Sequence, residues 1–325
     1  MLKEFLNQDI FNDKVEKETI RKGFGLGLLE SGKMNTNVVA LCADLTESTQ
    51  MHLFKNEFPD RFVEVGVAEQ NLASIASGMS AMNKIPVISS YAMFSPGRNW
   101  EQIRTTICYN NRKVVIAGSH AGISVGPDGG THQAIEDLAI TRVIPNMTVL
   151  SPCDIYEAKK ATIYSIIECP NPVYIRLSRE KTPIITKDNT KWNKNGIEVF
   201  WDSGDDIVIF VTGSLNYQAI CSAKELTEIG YKIKVINVSK IKQIDTSFIL
   251  AQIINSKLIV SIEEHQISGG LGSLLAEIIS ENNPKKIIRI GIDDKFGQSG
   301  KNEELLKHYK LDKDSIKERI ISILN

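Results

Sequence analysis

Between Val114 and Gln133 the chain passes from a β-branched run, VVIA, directly into GSHAGISVGPDGGTHQ, which is polar, rich in glycine and without any apolar period. A short apolar run bounded by glycine reads as a buried strand, here Val114–Ala117. Ligands in open α/β sheets bind outside the carboxyl ends of the strands. His120, Asp128 and His132 are therefore expected to line such a mouth. Upstream, VGVAEQN at Val65–Asn71 opens a segment in which Leu72, Ile75, Ala76 and Met79 recur at helical spacing. Glu69 stands near its start, where the helix dipole favours a carboxylate. Taken alone, Glu69 reads first as an ordinary first-turn acid facing water, and only the loop that follows shifts the weight toward a ligand-facing role.

Two histidines and an aspartate so close together invite a metal reading. Their spacing matches neither a helical His-x-x-x-His pair nor a cysteine-based zinc pattern. Hydrogen bonding to a polar ligand suits them better, and no metal ligand is assigned in this chain.

The remaining sequence repeats the alternation of strand and helix. A helix is expected over 16–30, strands at Val38–Ala43 and Ile85–Ser90, a helix over Arg98–Asn110 and another over Gln133–Ile140. Strands follow at Pro145–Ser151 and Val173–Leu177, and Asp154-x-x-Glu157 opens a helix between them in the manner of a capping box. Around 180–205 periodicity gives way to Lys, Asp, Asn, Pro and Gly, the composition of a linker. From Ile207 a second βα series begins, and alternating units of this kind build parallel sheets. The expected class is α/β, two consecutive three-layer domains with mostly parallel sheets, spanning 1–185 and 206–325 around a linker at 186–205. A chain of 325 residues is long enough for both cores. Gly269–Gly272 precedes a helix, yet Gly-Gly-Leu-Gly lacks both nucleotide fingerprints.

A net charge of -1 supplies no general attraction to nucleic acid or to a membrane surface. The five cysteines are dispersed and form no CxxC pair, which reads as reduced thiols in a cytoplasmic protein. No apolar run reaches spanning length.

VGVAEQN, SYAMFSPGRNWEQIR and SHAGISVGPDGGTHQAIEDLAITRVIPNMTV, in that order, resemble the pyrimidine-binding domain of transketolases. The likeness is strongest to the C-terminal subunit of two-chain members, and Asp128–Gln133 carries the family's DGxTHQ signature. EEHxxxGGLG and Phe296–Gly300 resemble the family's C-terminal domain, which packs against the dimer and holds no chemistry of its own. The resemblance implies a thiamine diphosphate enzyme that transfers a two-carbon ketol unit from a ketose phosphate to an aldose phosphate. It implies that Glu69 bonds N1′ of the aminopyrimidine, that Phe94 and Tyr91 lie against that ring, and that Asp44 stands close to it. His120 and His132 would be catalytic and contact the sugar and its phosphate, with Asp128 on the hydroxyl beside the acceptor carbonyl. Arg21, Ser48 and Arg179 would bind the phosphate, whereas Arg176 carries no such role and Arg104 is structural.

Enzymes of this kind carry a Gly-Asp-Gly motif for the Mg2+ (or Ca2+) on the diphosphate, and none occurs in this sequence. The expected partner is an N-terminal transketolase subunit that carries that half, in an α2β2 assembly. Three alternatives stand beside this reading. One is a 1-deoxy-D-xylulose-5-phosphate synthase, where Ser178-Arg179-Glu180 departs from the usual Pro-Arg-Gly. The others are a 2-oxo acid dehydrogenase beta subunit and a non-catalytic scaffold or regulatory subunit.

Overall fold

The central strands of the first sheet, such as VVALC and VIAGS, are mostly apolar and buried on both faces. Strands of this kind belong in parallel sheets covered by helices on each side. The computed structural model describes residues 1–12 and 14–324; Asp13 and Asn325, which the expected domain ranges include, lie outside the described residues. In chain order come β1 (Lys17–Thr19), α1 (Ile20–Met34), β2 (Val38–Cys42), α2 (His52–Glu57), β3 (Phe62–Glu64), α3 (Glu69–Ala81) and β4 (Ile85–Tyr91). After these, α4 (Trp100–Gln102) runs into a π-helical turn to Cys108, and β5 (Val115–Ser119), α5 (Asp137–Arg142), β6 (Thr148–Leu150), α6 (Ile155–Ile163), β7 (Val173–Arg176) and β8 (Lys181–Pro183) follow. The sheet order is β3-β2-β4-β5-β7-β6, parallel throughout. Helices α1 and α6 pack closely because two glycines face α6: a Cβ on Gly23 would overlap the Ile155 carbonyl, and one on Gly27 would lie 2.6 Å from that of Lys159.

The second half contains β9 (Ile197–Asp202), β10 (Ile207–Val211), α7 (Asn216–Glu228), β11 (Ile233–Val238), α8 (Thr246–Ile253) and β12 (Leu258–Gln266). It ends with α9 (Leu271–Asn282), β13 (Ile287–Ile292), α10 (Asn302–His308) and α11 (Lys313–Leu324). Its sheet runs β13-β12-β10-β11-β9, with only β9 antiparallel. The two halves share apolar packing. Leu41, Leu72, Ile116 and Leu138 belong to the same buried cluster as Phe210, Ile259, Leu271 and Leu275.

Four local expectations change. The first helix starts at Ile20 rather than 16, because Lys17–Thr19 pair with Lys181–Pro183 as a two-stranded ribbon. The helix expected from Gln133 starts at Asp137, since Ala134 bridges Ala121 and extends the loop. The stretch 186–205 contains β9, whose Val199, Phe200 and Trp201 join the second half. Residues near the amino end also pack there, with Leu6 and Ile10 buried in a cluster with Phe200 and Ile209. Among the described residues no helix is long and apolar enough to cross a membrane.

Candidate active site

The carboxyl ends of β4 and β5 lie side by side, with Tyr91 opposite Ser119. Tyr91 ends β4 and His120 follows β5 in a left-handed conformation (φ 58°), which turns its ring back over Tyr91. The two rings stack with centroids 3.9 Å apart. Phe94 lies 6.5 Å from Tyr91, and His132 meets Phe94 edge-on at 5.5 Å. An aromatic wall is thus assembled from two strand ends and the Gly-rich loop.

His120 is 2% exposed and fully engaged. Its Nε2 accepts from Arg21 Nη1 at 3.0 Å, because a guanidinium can only donate. The ring proton is therefore on Nδ1, from which it is donated to Ser119 Oγ at 2.8 Å. Burial above all, then Arg21 and Arg179, pushes the imidazole pKa down to about 3, so the ring is neutral at physiological pH.

Arg21, on the first turn of α1, also donates to the Ser48 carbonyl at 2.9 Å, and its buried Nε has no partner among the described residues. Burial first, then Arg179, lowers its pKa. Arg179 donates from Nη1 to the Val125 carbonyl and to Asp128 Oδ1, the latter at 3.4 Å. Asp128 is exposed at the tip of the loop. Arg21, Ser48, Tyr91, Phe94, His120 and His132 are thereby linked by direct contacts, while Asp128 is paired with Arg179, whose charge is felt at Arg21 and His120. Asp44 is exposed and left-handed (φ 58°), its N–H donating to Glu64 Oε1 at 2.7 Å, and none of these contacts reaches it.

Glu69 begins α3 and is 2% exposed. Among the described residues its carboxylate accepts one long bond, from Arg98 Nη1 at 3.4 Å. Arg98 in turn lies over the Phe94 ring, 5.1 Å from its centroid, which places the acid beside the aromatic wall. Asn99 Nδ2 donates to the Glu69 carbonyl at 2.9 Å and fixes the start of the helix. A buried carboxylate with so few partners has acceptor capacity to spare.

Arg176 lies apart from the mouth, in a buried network. Its Nε donates to Asp137 at 2.9 Å, Tyr174 Oη donates to the same carboxylate at 2.7 Å, and its Nη2 donates to the Glu264 carbonyl at 2.8 Å. Glu263 accepts from Leu271 N at 2.7 Å and Gly272 N at 2.8 Å, so the start of α9 is capped by the chain's own acid rather than left open for a phosphate. Reading the sequence passes over Arg98, Asn99, Ser119, Ser124, Asp137 and Glu264. A signal that could have found this network is Arg176 itself, since a charge inside the apolar run VYIRL needs a partner if it is buried. Among the described residues no cluster of three or more His, Cys, Asp or Glu side chains could hold a metal ion.

Residues 16–184 match the transketolase pyrimidine-binding domain and residues 199–316 the transketolase C-terminal domain. A putative transketolase C-terminal section from Methanocaldococcus jannaschii is 43% identical over 304 residues, 93% of this chain and 95% of that protein. An apulose-4-phosphate transketolase subunit from Actinobacillus succinogenes is 35% identical over 90% of this chain and 94% of its own length. Among solved structures, a split-gene transketolase described as an inactive beta4 tetramer is similar at a TM-score of 0.85. It is 34% identical, and the match covers 94% of this chain and 98% of that one.

Proposed function

The chain belongs to the transketolase family, and from that premise we propose that it is the pyrimidine-side subunit of a two-chain transketolase that moves a two-carbon ketol unit between sugar phosphates. The observation that carries this reading is the buried, under-bonded Glu69 carboxylate beside the wall of Tyr91, Phe94, His120 and His132.

That arrangement fits the aminopyrimidine end of thiamine diphosphate, a flat heteroaromatic ring with a basic nitrogen. Aromatic side chains take such a ring by stacked or edge contact, the part assigned to Phe94 and Tyr91. The buried Glu69 carboxylate would accept a hydrogen bond from a protonated ring nitrogen, and a charge-assisted bond of that kind is strong. Asp44 is assigned to the rim of the same ring. The cofactor, when bound, supplies the carbon nucleophile that takes up and passes on the ketol unit.

The substrate phosphate would fall between Arg21, the Ser48 turn and Arg179, since planar guanidinium forks suit phosphate oxygens. A dianion there would draw Arg21 away from His120 and free Nε2 to accept from a sugar hydroxyl. His132 would contact the sugar and its phosphate, and Asp128 the hydroxyl beside the acceptor carbonyl. The diphosphate and its Mg2+ or Ca2+ would be held by a partner N-terminal subunit in an α2β2 assembly. Support comes from the relatives matched nearly end to end, which are themselves described as a section and a subunit. The apulose relative also makes a branched sugar phosphate a second candidate donor.

The test is to express the chain with a candidate partner carrying the Gly-Asp-Gly half and supply thiamine diphosphate, magnesium, xylulose 5-phosphate and ribose 5-phosphate. Two-carbon transfer that requires both chains is the expected result. A stable complex without transfer to ribose 5-phosphate would reject the pentose reading, and apulose 4-phosphate would be the next donor tried.

A further inference from the structure

Gly122, Gly126 and Gly129 all have positive φ, a conformation that glycine adopts without strain but at the loss of much conformational freedom when it is fixed there, so the Gly-rich loop needs outside contacts to hold one shape. Part of that support comes from the second half of the chain. Glu264, 3% exposed near the end of β12, accepts from Ser124 N at 2.7 Å through Oε1 and from Ser214 Oγ at 2.7 Å through Oε2. Gly122 packs directly on this carboxylate, where a Cβ would overlap Oε1. Two further bonds cross from the Phe296–Gly300 turn: Ser299 Oγ donates to the Pro127 carbonyl at 2.7 Å, and Gln133 Nε2 donates to the Gln298 carbonyl at 3.0 Å.

Glu264 is fixed from behind as well. Arg176 donates to its carbonyl at 2.8 Å, and Arg176 is itself paired with Asp137 on α5. Toward the mouth the chain of contacts continues. Ser124 Oγ accepts from Arg179 N at 3.4 Å, and the Arg179 guanidinium meets Asp128. From the second half of the chain to the candidate phosphate arginine there are thus only two hydrogen-bonded steps, Glu264 to Ser124 and Ser124 to Arg179. Burial raises the pKa of Glu264, with Arg176 opposing that shift. Placing an acid there is costly, and both of its oxygens are spent on donors that fix the loop and its neighbour.

We propose that Glu264 is a positioning residue for substrate, the strut by which the second α/β unit sets the Ser124–Asp128 segment and Arg179 at the mouth. The proposal rests on the reading that Arg179 and Asp128 contact a sugar phosphate. It assigns to the EEHxxxGGLG motif a part in substrate affinity that packing alone would not supply. Glu264→Ala removes both acceptors, whereas Glu264→Gln retains one for Ser124 N–H and lets the Ser214 hydroxyl turn to accept.

The experiment uses amide hydrogen exchange and steady-state kinetics to compare Glu264→Ala, Glu264→Gln and the native chain, each with its partner subunit. Exchange across 123–128 should rise at least tenfold in Glu264→Ala while β2 and β4 keep their protection. KM for the phosphorylated aldose should rise about tenfold or more with kcat within about threefold, and Glu264→Gln should restore most of both. Should Glu264→Ala fail to fold, Ser214→Ala, which removes one of the two donors that hold the Glu264 carboxylate, is read in the same way with a smaller expected rise in both exchange and KM. Unchanged exchange at 123–128 overturns the strut. A loosened loop with unchanged KM overturns the positioning role and shows that the loop does not bind substrate. If the native pair shows no transfer at all, the exchange data still decide on the strut while the proposed activity is what fails.

Discussion

His120→Asn tests the electrostatics of the mouth without a cofactor or a partner. Asparagine tolerates the left-handed backbone of this position, and its amide can donate to Ser119 and accept from Arg21 as the imidazole does. It does not titrate. The imidazole pKa is pushed down from 6.5 to about 3 in the folded chain, so the unfolded chain binds the extra proton first as pH falls. The stability this group contributes is complete above about pH 6.5 and is lost progressively toward pH 3. With those two values, linkage gives a native loss of about 2 kcal/mol from this group between pH 7.5 and pH 5. Urea unfolding of both proteins at the two pH values measures it directly. The variant should lose about 2 kcal/mol less than the native chain over that interval. Losses equal within about 0.5 kcal/mol would refute the buried, arginine-flanked histidine. Arg21→Gln supplies a second reading: with one cation removed, nitrogen NMR should find the His120 pKa above 3 yet still below 6.5.

Three further outcomes are expected. Arg179→Ala should raise KM for phosphorylated substrates by about ten- to a hundredfold while leaving an unphosphorylated sugar unaffected; equal loss on both would make Arg179 structural. Glu69→Gln should reduce kcat of the assembled enzyme by about a hundredfold or more with little change in KM, and a near-normal kcat would reject Glu69 as the group that activates the cofactor. Glu198, raised from 4.5 to about 7 by burial and then by Glu157, should destabilise the fold progressively as pH rises from about 4.5 to about 7. Glu198→Gln should accordingly gain about 1 kcal/mol at pH 8 after allowance for solvent screening, and nothing at pH 4; a gain that is the same at both pH values would count against the shift.

The strands and the two α/β series were legible because parallel, doubly buried strands leave unbroken apolar runs such as VVALC and IVIFV. His120 and His132 could be placed at the mouth because they follow a strand into a Gly-rich loop, and strand ends are where ligands meet an open sheet, whereas Tyr91 and Phe94 read as core aromatics and were set beside them only by the resemblance. The supports were not legible. Ser124 and Glu264 stand 140 positions apart, and a backbone N–H that needs a distant carboxylate leaves no mark on local sequence. The same holds for β1, three residues of mixed character that become a strand only because Lys181–Pro183 lie alongside. Strand β9 did carry a signal, the run Val199-Phe200-Trp201, hidden by the polar residues that flank it.

Ile123, within the Gly-rich loop, and Ile135, just past its end, are 0% and 1% exposed, and both are buried in a cluster with Ile209, Val211, Leu215 and Ile262 of the second half. A chain ended after Thr186 would return both side chains to water. At roughly 1.5–3 kcal/mol for each fully buried isoleucine, the cost is about 3–6 kcal/mol. Domains of ordinary stability hold only about 5–15 kcal/mol in total. Leu6 and Ile10 would lose the same cluster, and Arg176 would lose the carbonyl it donates to at Glu264. The shortened chain should therefore unfold at much lower urea, with the 120–135 amides unprotected even where β2 and β4 remain slow to exchange. Retention of native loop protection in that chain would mean that the second half contributes nothing to the mouth, and the strut at Glu264 would have no function to serve.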